Sequence, residues 1–194
     1  MSKIERALIS VSNKKNLKPL LRILRKFKIE IVSSGGTYKK IKNLGFDCIE
    51  VSNFTEFPEI LEGRVKTLHP KIHAGILYKR KNKKHLKNIK ENNLNTIDLV
   101  IVNFYPFEEV IQNTSNHEKI LENVDIGGPT MVRAAAKNYN YVTVITSINQ
   151  YDELLNQLNK NKGSTTLEFR KKLSLNAFSE TAYYDSLIAN YFNK

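Results

Sequence analysis

Short runs of apolar, β-branched residues recur along the chain, separated by polar segments. Five of them have the length of a β-strand, at residues 7–11, 29–32, 48–51, 99–102 and 141–145. Each is bounded by polar or turn-forming residues, as is usual for a buried strand. The pattern therefore predicts five strands.

Segments with helical spacing lie between these strands. In residues 17–27, leucines and a final phenylalanine recur with the period of an α-helix. Residues 110–121, 151–158 and 167–192 have similar spacing and are also predicted to be helices. Strands that alternate with helices favour right-handed βαβ units. We therefore predict an α/β fold with three layers, in which helices cover both faces of a parallel central sheet of about five strands.

The composition fits one ordinary domain. The chain has 194 residues, of which 41% are hydrophobic, and it has no internal repeat or Gly/Ser-rich linker, so we predict a single domain over residues 1–194. No apolar run approaches the roughly 18 residues of a membrane span. The first residues lack the apolar segment of a signal peptide, so we expect a cytoplasmic location. The one cysteine, Cys48, lies in an apolar stretch and is interpreted as a buried structural thiol.

The formal net charge of +12 favours anionic partners, including phosphate ligands and nucleic acid. The densest run of cations is at residues 79–87. No aromatic residues interleave with these lysines, as a platform for single-stranded nucleic acid would require. We interpret the run as a solvated surface, and nucleic-acid binding is the less favoured alternative.

Glycine, proline and polar residues cluster in loops that follow the predicted strands. Four such loops lie at residues 10–16, 33–37, 52–70 and 103–107. In open parallel sheets, ligands bind in the crevice outside the carboxyl ends of the strands. We therefore expect a binding site at this edge of the sheet.

Residues 33–37, with the sequence Ser-Ser-Gly-Gly-Thr, follow one strand and precede a helix. Glycines let backbone N–H groups approach an anion, and a helix N-terminus adds free donors and a positive dipole end. By itself the segment is only a turn, but its position at a strand end favours phosphate binding. Lys14, in the neighbouring loop, is a candidate for an additional cation.

Residues 63–70 carry the sequence Gly-Arg-Val-Lys-Thr-Leu-His-Pro. In an extended backbone, Arg64 and Lys66 point to the same side. Such a pair suits either a basic surface strand or a nucleotide contact, and both readings stay open at this point. His69 and His73 are four residues apart, but no helix is predicted across the proline between them and no carboxylate completes a metal site, so we predict no metal.

Two further segments offer chemically useful groups. Residues 103–107 follow the end of a strand and begin with Asn103, which can donate and accept hydrogen bonds. The aromatic residues of this segment, including Tyr105, suit either the hydrophobic core or the wall of a base-binding site. Residues 125–129, Asp-Ile-Gly-Gly-Pro, read as a helix start with proline at its first position. Lys137 would lie on the same helix face as Arg133, and we expect its long side chain to reach back toward this loop.

These motifs together resemble the IMP cyclohydrolase domain of the bifunctional AICAR transformylase/IMP cyclohydrolase family. The matching stretches run in family order across nearly the whole chain, at residues 10–14, 33–37, 63–70, 103–107 and 125–138. The chain departs from the family pattern at Asn13, where aspartate is common, at Lys15 and at Tyr139. We expect residues 1–194 to form the cyclohydrolase domain without the transformylase domain of that family.

The resemblance implies a methylglyoxal-synthase-like α/β fold and a cyclohydrolase activity, the reversible dehydration of a formamido-imidazole-carboxamide ribonucleotide (FAICAR) to IMP. The implied substrate-binding residues are Ser12, Asn13, Lys14, Ser34, Gly35, Gly36, Thr37, Arg64, Thr67, Asn103, Ile126 and Gly127. The implied catalytic residues are Lys66, Tyr105, Asp125 and Lys137. The resemblance implies no cofactor. It leaves open a monomer or a homodimer, and an AICAR transformylase domain or partner.

Three other functions remain as alternatives. A phosphate-handling lyase such as methylglyoxal synthase and a nucleotide-sensing regulatory domain would share the implied fold, and a basic nucleic-acid binder would share the charge. None of them requires the lysine block, the tyrosine loop and the aspartate helix start together.

Overall fold

The predicted strands form one parallel sheet. In the computed structural model, which describes residues 3–193, the strands are β1 (Arg6–Val11), β2 (Glu30–Ser33), β3 (Ile49–Glu50), β4 (Leu99–Asn103) and β5 (Thr143–Ile145). Their order is β3-β2-β1-β4-β5, and every neighbouring pair is parallel. The predicted fold class is confirmed.

Helices fill the segments between the strands. The α-helices of the described residues are α1 (Leu17–Lys26), α2 (Gly35–Asn43), α3 (Val51–Thr55), α4 (Pro70–Leu77), α5 (Lys83–Glu91), α6 (Phe107–Asn113), α7 (His117–Leu121), α8 (Gly127–Lys137), α9 (Tyr151–Lys160) and α10 (Leu167–Phe192). Short 3-10 helices span Leu61–Gly63 and Ile148–Gln150. No helix of residues 3–193 is long and apolar enough to cross a bilayer.

The hydrophobic core lies on both sides of the sheet. The leucine stripe of α1 is buried, and α1 packs beside α9. Helix α8 packs on β4 and β5 and also contacts α4 and α10. Its residues Ala134, Ala135 and Ala136 are buried, and such small side chains allow the backbone of α10 to approach closely. The Ser174 hydroxyl of α10 donates to the Ala136 carbonyl at 2.8 Å.

The strand order changes direction between β1 and β4. The chain first adds β2 and β3 on one side of β1 and then adds β4 and β5 on the other. The ends of β1 and β4 lie together, since Val11 pairs with Asn103. Such a change in strand order opens a crevice at the carboxyl edge of a parallel sheet, where ligands bind.

The prediction of one continuous helix over residues 110–121 is wrong. The structure has α6 and α7 instead, because Thr114 adopts an extended backbone (φ −153°, ψ 146°) that ends α6. A new helix then begins after Asn116, whose side-chain oxygen accepts a hydrogen bond from the Lys119 N–H at 3.0 Å. An asparagine in this role is a common N-cap, so this local signal overrides the apolar spacing.

The structure also differs from the predictions at the third strand and around Arg64. The third strand contains only Ile49 and Glu50, because Val51 already begins α3. The segment around Arg64 is not an extended strand, since that residue has helical dihedral angles (φ −63°, ψ −28°).

Cys48 is half-buried, and burial raises the pKa of its thiol to about 12. This agrees with an unreactive thiol.

A buried guanidinium attaches α10 to the rest of the fold. Arg170 is 8% exposed and donates to the carbonyls of Tyr139 at 2.8 Å, Thr165 at 2.6 Å and Asn140 at 3.1 Å. These bonds join the segment before β5 to the segment between α9 and α10, and they fix the start of α10. A single side chain thus satisfies three backbone acceptors that would otherwise lack partners.

We expect the substitution Arg170→Met to lower the free energy of unfolding by about 2–4 kcal/mol, because it leaves buried carbonyls without donors. Urea unfolding followed by circular dichroism measures the change. Arg22→Met, on the exposed side of α1, is the matched control and should change stability by less than about 0.5 kcal/mol. Equal losses in the two variants would contradict a role for the buried hydrogen bonds.

Candidate active site

A cavity of about 660 Å³ lies at the carboxyl edge of the sheet, where the strand order changes direction. It is formed by the ends of β1 and β4, the first turns of α2 and α8, and the loop between α3 and α4. The site residues predicted from the sequence that line it are Ser12, Lys14, Ser34, Gly35, Gly36, Thr37, Arg64, Lys66, Thr67, Asn103, Tyr105, Asp125, Ile126 and Gly127. Asn13 and Lys137 do not line it.

One end of the cavity is suited to an anion. Gly35 begins α2 with φ +52°, a conformation that side chains rarely adopt, and the first N–H groups of this helix have no partner within the helix. A Cβ atom on Gly36 would lie 3.8 Å from the Lys14 ammonium, and one on Gly35 would lie 3.9 Å from the Lys66 ammonium. Two cations therefore flank a helix N-terminus, an arrangement typical of phosphate sites.

The hydroxyls of this turn have structural roles. The buried Thr37 hydroxyl accepts from the Val11 N–H and donates to the Val11 carbonyl, both at 3.0 Å. The Ser33 hydroxyl donates to the Ile9 carbonyl at 2.6 Å. Both groups attach the turn to the end of β1. The hydroxyl of Thr37, which the resemblance implies to be a substrate-binding residue, is thus engaged within the fold.

The loop that carries Lys66 is held at two points. The Arg64 guanidinium pairs with the exposed carboxylate of Glu122, and the Arg64 Nε lies 3.3 Å from that carboxylate. This hydrogen bond raises the pKa of Arg64 and lowers that of Glu122. On the other side, Thr67 is buried against α8, where a Cβ on Gly127 would lie 2.5 Å from its hydroxyl oxygen. Glycine is thus needed at this position for the close approach.

Asp125 is the cavity acid whose pKa is raised. Burial raises the pKa of Asp125, against the opposing effects of the Gly128 N–H, the Lys66 ammonium and the Tyr105 backbone N–H. The Gly128 N–H donates to its carboxylate at 2.8 Å. A Cβ on Gly128 would come within 2.3 Å of the same carboxylate, so glycine is required here too. A raised carboxyl pKa beside a cation in a cavity is typical of acid–base catalysis.

Asn103 lines the cavity, and its side chain also has a structural role. Its side-chain oxygen accepts from the Asn13 N–H at 2.8 Å, and its side-chain nitrogen donates to the Asn13 carbonyl at 3.1 Å. The pair therefore holds the loop after β1 against the end of β4. Asn13 itself points out of the cavity, and its side chain accepts from the Lys15 N–H at 3.0 Å. The predicted contact between Asn13 and a substrate is not supported by this geometry.

The expectation that Lys137 reaches the loop before α8 is wrong. The helix begins at Gly127, two residues before the expected first position at Pro129, and Lys137 lies in its last turn, about 15 Å further along the axis. Gly128 faces the cavity, and nine residues at about 100° each place Lys137 on the opposite side of the helix. Its side chain is exposed to solvent. A catalytic role for Lys137 therefore rests on the resemblance alone.

Sequence reasoning missed a carboxylate behind Lys66. A small side cavity of about 20 Å³ is lined by Lys66 together with Glu50 and Glu59. A Cβ on Gly63 would lie 2.6 Å from the Glu59 carboxylate and 3.5 Å from the Lys66 ammonium, so the two charged groups approach the same point. Glu59 is seven residues from Lys66 in a loop, and no periodic pattern relates such positions.

Residues 3–193 contain no cluster of three or more histidine, cysteine or acidic side chains that could hold a metal ion. His73 is half-buried, and burial lowers the pKa of its imidazole, so the ring is neutral at pH 7. His69 instead caps α4, where its Nδ1 accepts from the Lys71 N–H at 3.1 Å.

Comparisons with known proteins agree with this architecture. The sequence model of the MGS-like domain matches residues 16–130, and that of the AICARFT/IMPCHase bienzyme matches residues 135–194. The crystal structure of ForH superposes with a TM-score of 0.86 at 31% identity, covering 97% of this chain and 99% of that one.

Curated relatives share higher identity. The bifunctional purine biosynthesis protein PurH of Clostridium botulinum is 50% identical over 187 residues, and that of Bacillus subtilis is 48% identical over 189 residues. These alignments cover 96% and 97% of this chain but only 37% of each relative. The chain thus spans a little over a third of the length of the curated relatives it matches. It belongs to the MGS-like domain family and is related to the IMP cyclohydrolase part of the bifunctional PurH proteins.

Proposed function

We propose that this chain is an IMP cyclohydrolase domain that closes the second purine ring by dehydrating FAICAR to IMP. The observation that supports the proposal most directly is the shared cavity, in which Lys66 and Asp125 face the same space as the anion-binding turn of α2. Relatives named as purine biosynthesis proteins support the same substrate class. None of the three alternative functions requires all of these groups together.

The cavity suits a nucleoside monophosphate. Its volume of about 660 Å³ lies within the range of roughly 300–1,000 Å³ that small-molecule sites occupy. We propose that the phosphate binds at the N-terminus of α2, beside the Lys14 ammonium. The imidazole end would then extend toward Tyr105 and Asp125, at the other side of the cavity. Tyr105 is 40% exposed, so its ring is available to contact a flat heterocycle.

Ring closure requires one new bond and the loss of one water molecule. The carboxamide nitrogen attacks the formyl carbon, a C–N bond forms, and negative charge develops on the formyl oxygen. The bond between the former formyl carbon and that oxygen then breaks, and the oxygen leaves as water with two protons, one from the attacking nitrogen and one from the formamide nitrogen. Bonds and electrons balance without electron transfer, so the reaction needs no redox cofactor.

We propose that Lys66 and the N–H groups at the start of α8 stabilise charge on the formyl oxygen. Donors fixed before the reaction begins stabilise developing charge with little reorganisation, and removing one commonly costs about 10²–10³ in rate. Asp125 would remove the proton from the attacking nitrogen. Its raised pKa makes it a stronger base than an ordinary carboxylate, and the proton can pass from it to the departing oxygen.

The proposal is tested by incubating the purified chain with FAICAR and following formation of IMP by absorbance and chromatography. We expect turnover with FAICAR, no methylglyoxal from dihydroxyacetone phosphate, and no salt-dependent binding of random DNA at micromolar concentration. Methylglyoxal formation would favour the lyase alternative. Tight binding of IMP with no interconversion of IMP and FAICAR would instead indicate a nucleotide-sensing domain.

A further inference from the structure

Tyr184, in α10, connects a distant helix to the proposed active site. Its side chain is 5% exposed and lies outside the cavity. Its hydroxyl accepts a hydrogen bond from the backbone N–H of Asp125 at 2.8 Å and donates to the Asn123 carbonyl at 3.3 Å. Both bonds lie in the turn that brings Asp125 into the cavity. The hydroxyl therefore fixes the backbone from which the half-buried carboxylate projects.

The ring of Tyr184 contacts the second segment of the site. Its centroid lies 5.0 Å from that of Phe104 and 6.2 Å from that of Phe107. These two residues flank Tyr105, whose backbone N–H favours the ionised form of the Asp125 carboxylate and so lowers its pKa. One side chain thus holds the end of β4 through its ring and the turn before α8 through its hydroxyl.

A purely structural role would need only the ring. Tyr184 belongs to a small apolar cluster with Phe107 and Ile120, where phenylalanine would fill the same space. A buried hydroxyl is costly unless it forms hydrogen bonds, and this one forms them only with the turn that carries Asp125. Burial raises the pKa of Tyr184 to about 12, so the hydroxyl keeps the proton that it donates.

We propose that Tyr184 is a positioning residue for the reaction, holding Asp125 in its buried orientation through the backbone. The inference rests on the proposed cyclohydrolase function. Loss of the hydroxyl removes only the hydrogen bonds to the Asp125 N–H and the Asn123 carbonyl, so we expect the anion-binding turn and Lys14 to be unaffected. Substrate binding should therefore persist while the proton transfer slows. A defect confined to the rate would distinguish this role from general support of the fold.

The test compares Tyr184→Phe with Tyr183→Phe. Tyr183 is its neighbour on α10, but it is 52% exposed and its hydroxyl donates to Glu108 at 3.1 Å, away from the cavity. We expect Tyr184→Phe to lower kcat for FAICAR about 10- to 100-fold while KM changes less than about twofold. Tyr183→Phe should keep both values. Unfolding midpoints measured for both variants verify that each is folded.

A second measurement does not depend on turnover. Hydrogen–deuterium exchange at the Asp125 amide should become at least tenfold faster in Tyr184→Phe and stay unchanged in Tyr183→Phe, because only the former loses the acceptor. Unchanged exchange in Tyr184→Phe, or equal kcat losses in the two variants, would overturn the inference. If the wild-type protein lacks turnover but the two variants still differ in exchange at Asp125, the proposed function is refuted. The positioning of Asp125 by Tyr184 would still hold in that case.

Discussion

Asp125→Asn should abolish most turnover without lowering the stability of the fold. Proton transfer by a positioned side chain commonly contributes about 10²–10⁴ in rate, and an asparagine cannot accept the proton. The amide oxygen can still accept from the Gly128 N–H, so the start of α8 stays capped. We expect kcat to fall by at least about 100-fold, measured as conversion of FAICAR to IMP.

The stability of this variant has a defined dependence on pH. Burial raises the pKa of Asp125, so the ionised carboxylate destabilises the folded state at every pH above its folded pKa. The variant should therefore be at least as stable as the wild type at pH 7. This advantage should shrink as the pH falls through the folded pKa and vanish below the unfolded pKa of about 3.9. Unfolding titrations at several pH values measure it.

The matched control for Asp125→Asn is Asp152→Asn, on the exposed first turn of α9. This change should leave turnover intact. Retention of more than about a fifth of wild-type kcat in Asp125→Asn would remove that carboxylate from the mechanism. A large loss of stability at pH 7 would contradict the sign of the pKa shift.

The strands and the position of the cavity follow from the sequence because they depend on strong, local patterns. The β-branched runs are long enough to identify all five strands, and the glycine pairs form the first turns of α2 and α8. Since parallel strands place their carboxyl ends at one edge, these loops must meet there. That reasoning needs no knowledge of side-chain packing, and it therefore predicted that Lys66 and Asp125 lie at this edge of the sheet, where both line the cavity.

The failures involve helix direction and caps. Apolar spacing over residues 110–121 could not reveal the extended backbone at Thr114 that separates α6 from α7. The spacing of Arg133 and Lys137 correctly placed both on one helix face, but it could not tell which face turns toward the cavity. In the folded chain, that face packs Arg133 over the ring of Phe178 of α10. The rotation of a helix about its axis depends on tertiary packing, and the spacing of residues within the helix does not predict it.

Residues that act on the site from a distance were also unpredictable. Tyr184 is 59 residues from Asp125, and its hydroxyl meets that turn only because α10 packs back along α8. The tyrosine lies in a long helix that carries both buried and exposed aromatic residues, such as Phe169 and Phe178. Nothing in its local sequence separates a tyrosine with a buried hydroxyl from its exposed neighbour Tyr183.

Lys66→Met should produce the other large loss of activity. The substitution keeps much of the length of the side chain but removes the ammonium that lies between the Gly35 turn and the Gly63 loop. If this cation stabilises the formyl oxygen in the transition state, kcat/KM should fall about 10²–10³-fold. Lys66→Arg should recover little, because a planar guanidinium cannot replace a compact ammonium in the same space.

The control for Lys66 is Lys71→Met, in α4, whose ammonium pairs with the exposed Glu56 instead of facing the cavity. It removes one positive charge from the same region, so it accounts for any general loss of attraction for an anionic substrate. We expect it to retain kcat/KM within about threefold. Because Lys66 also borders the anion-binding turn, IMP affinity measured by calorimetry separates its two contributions. If the fall in kcat/KM comes entirely from weaker nucleotide binding, with kcat unchanged, Lys66 is a substrate-binding residue. The N–H groups at the start of α8 would then be the groups that stabilise charge on the formyl oxygen.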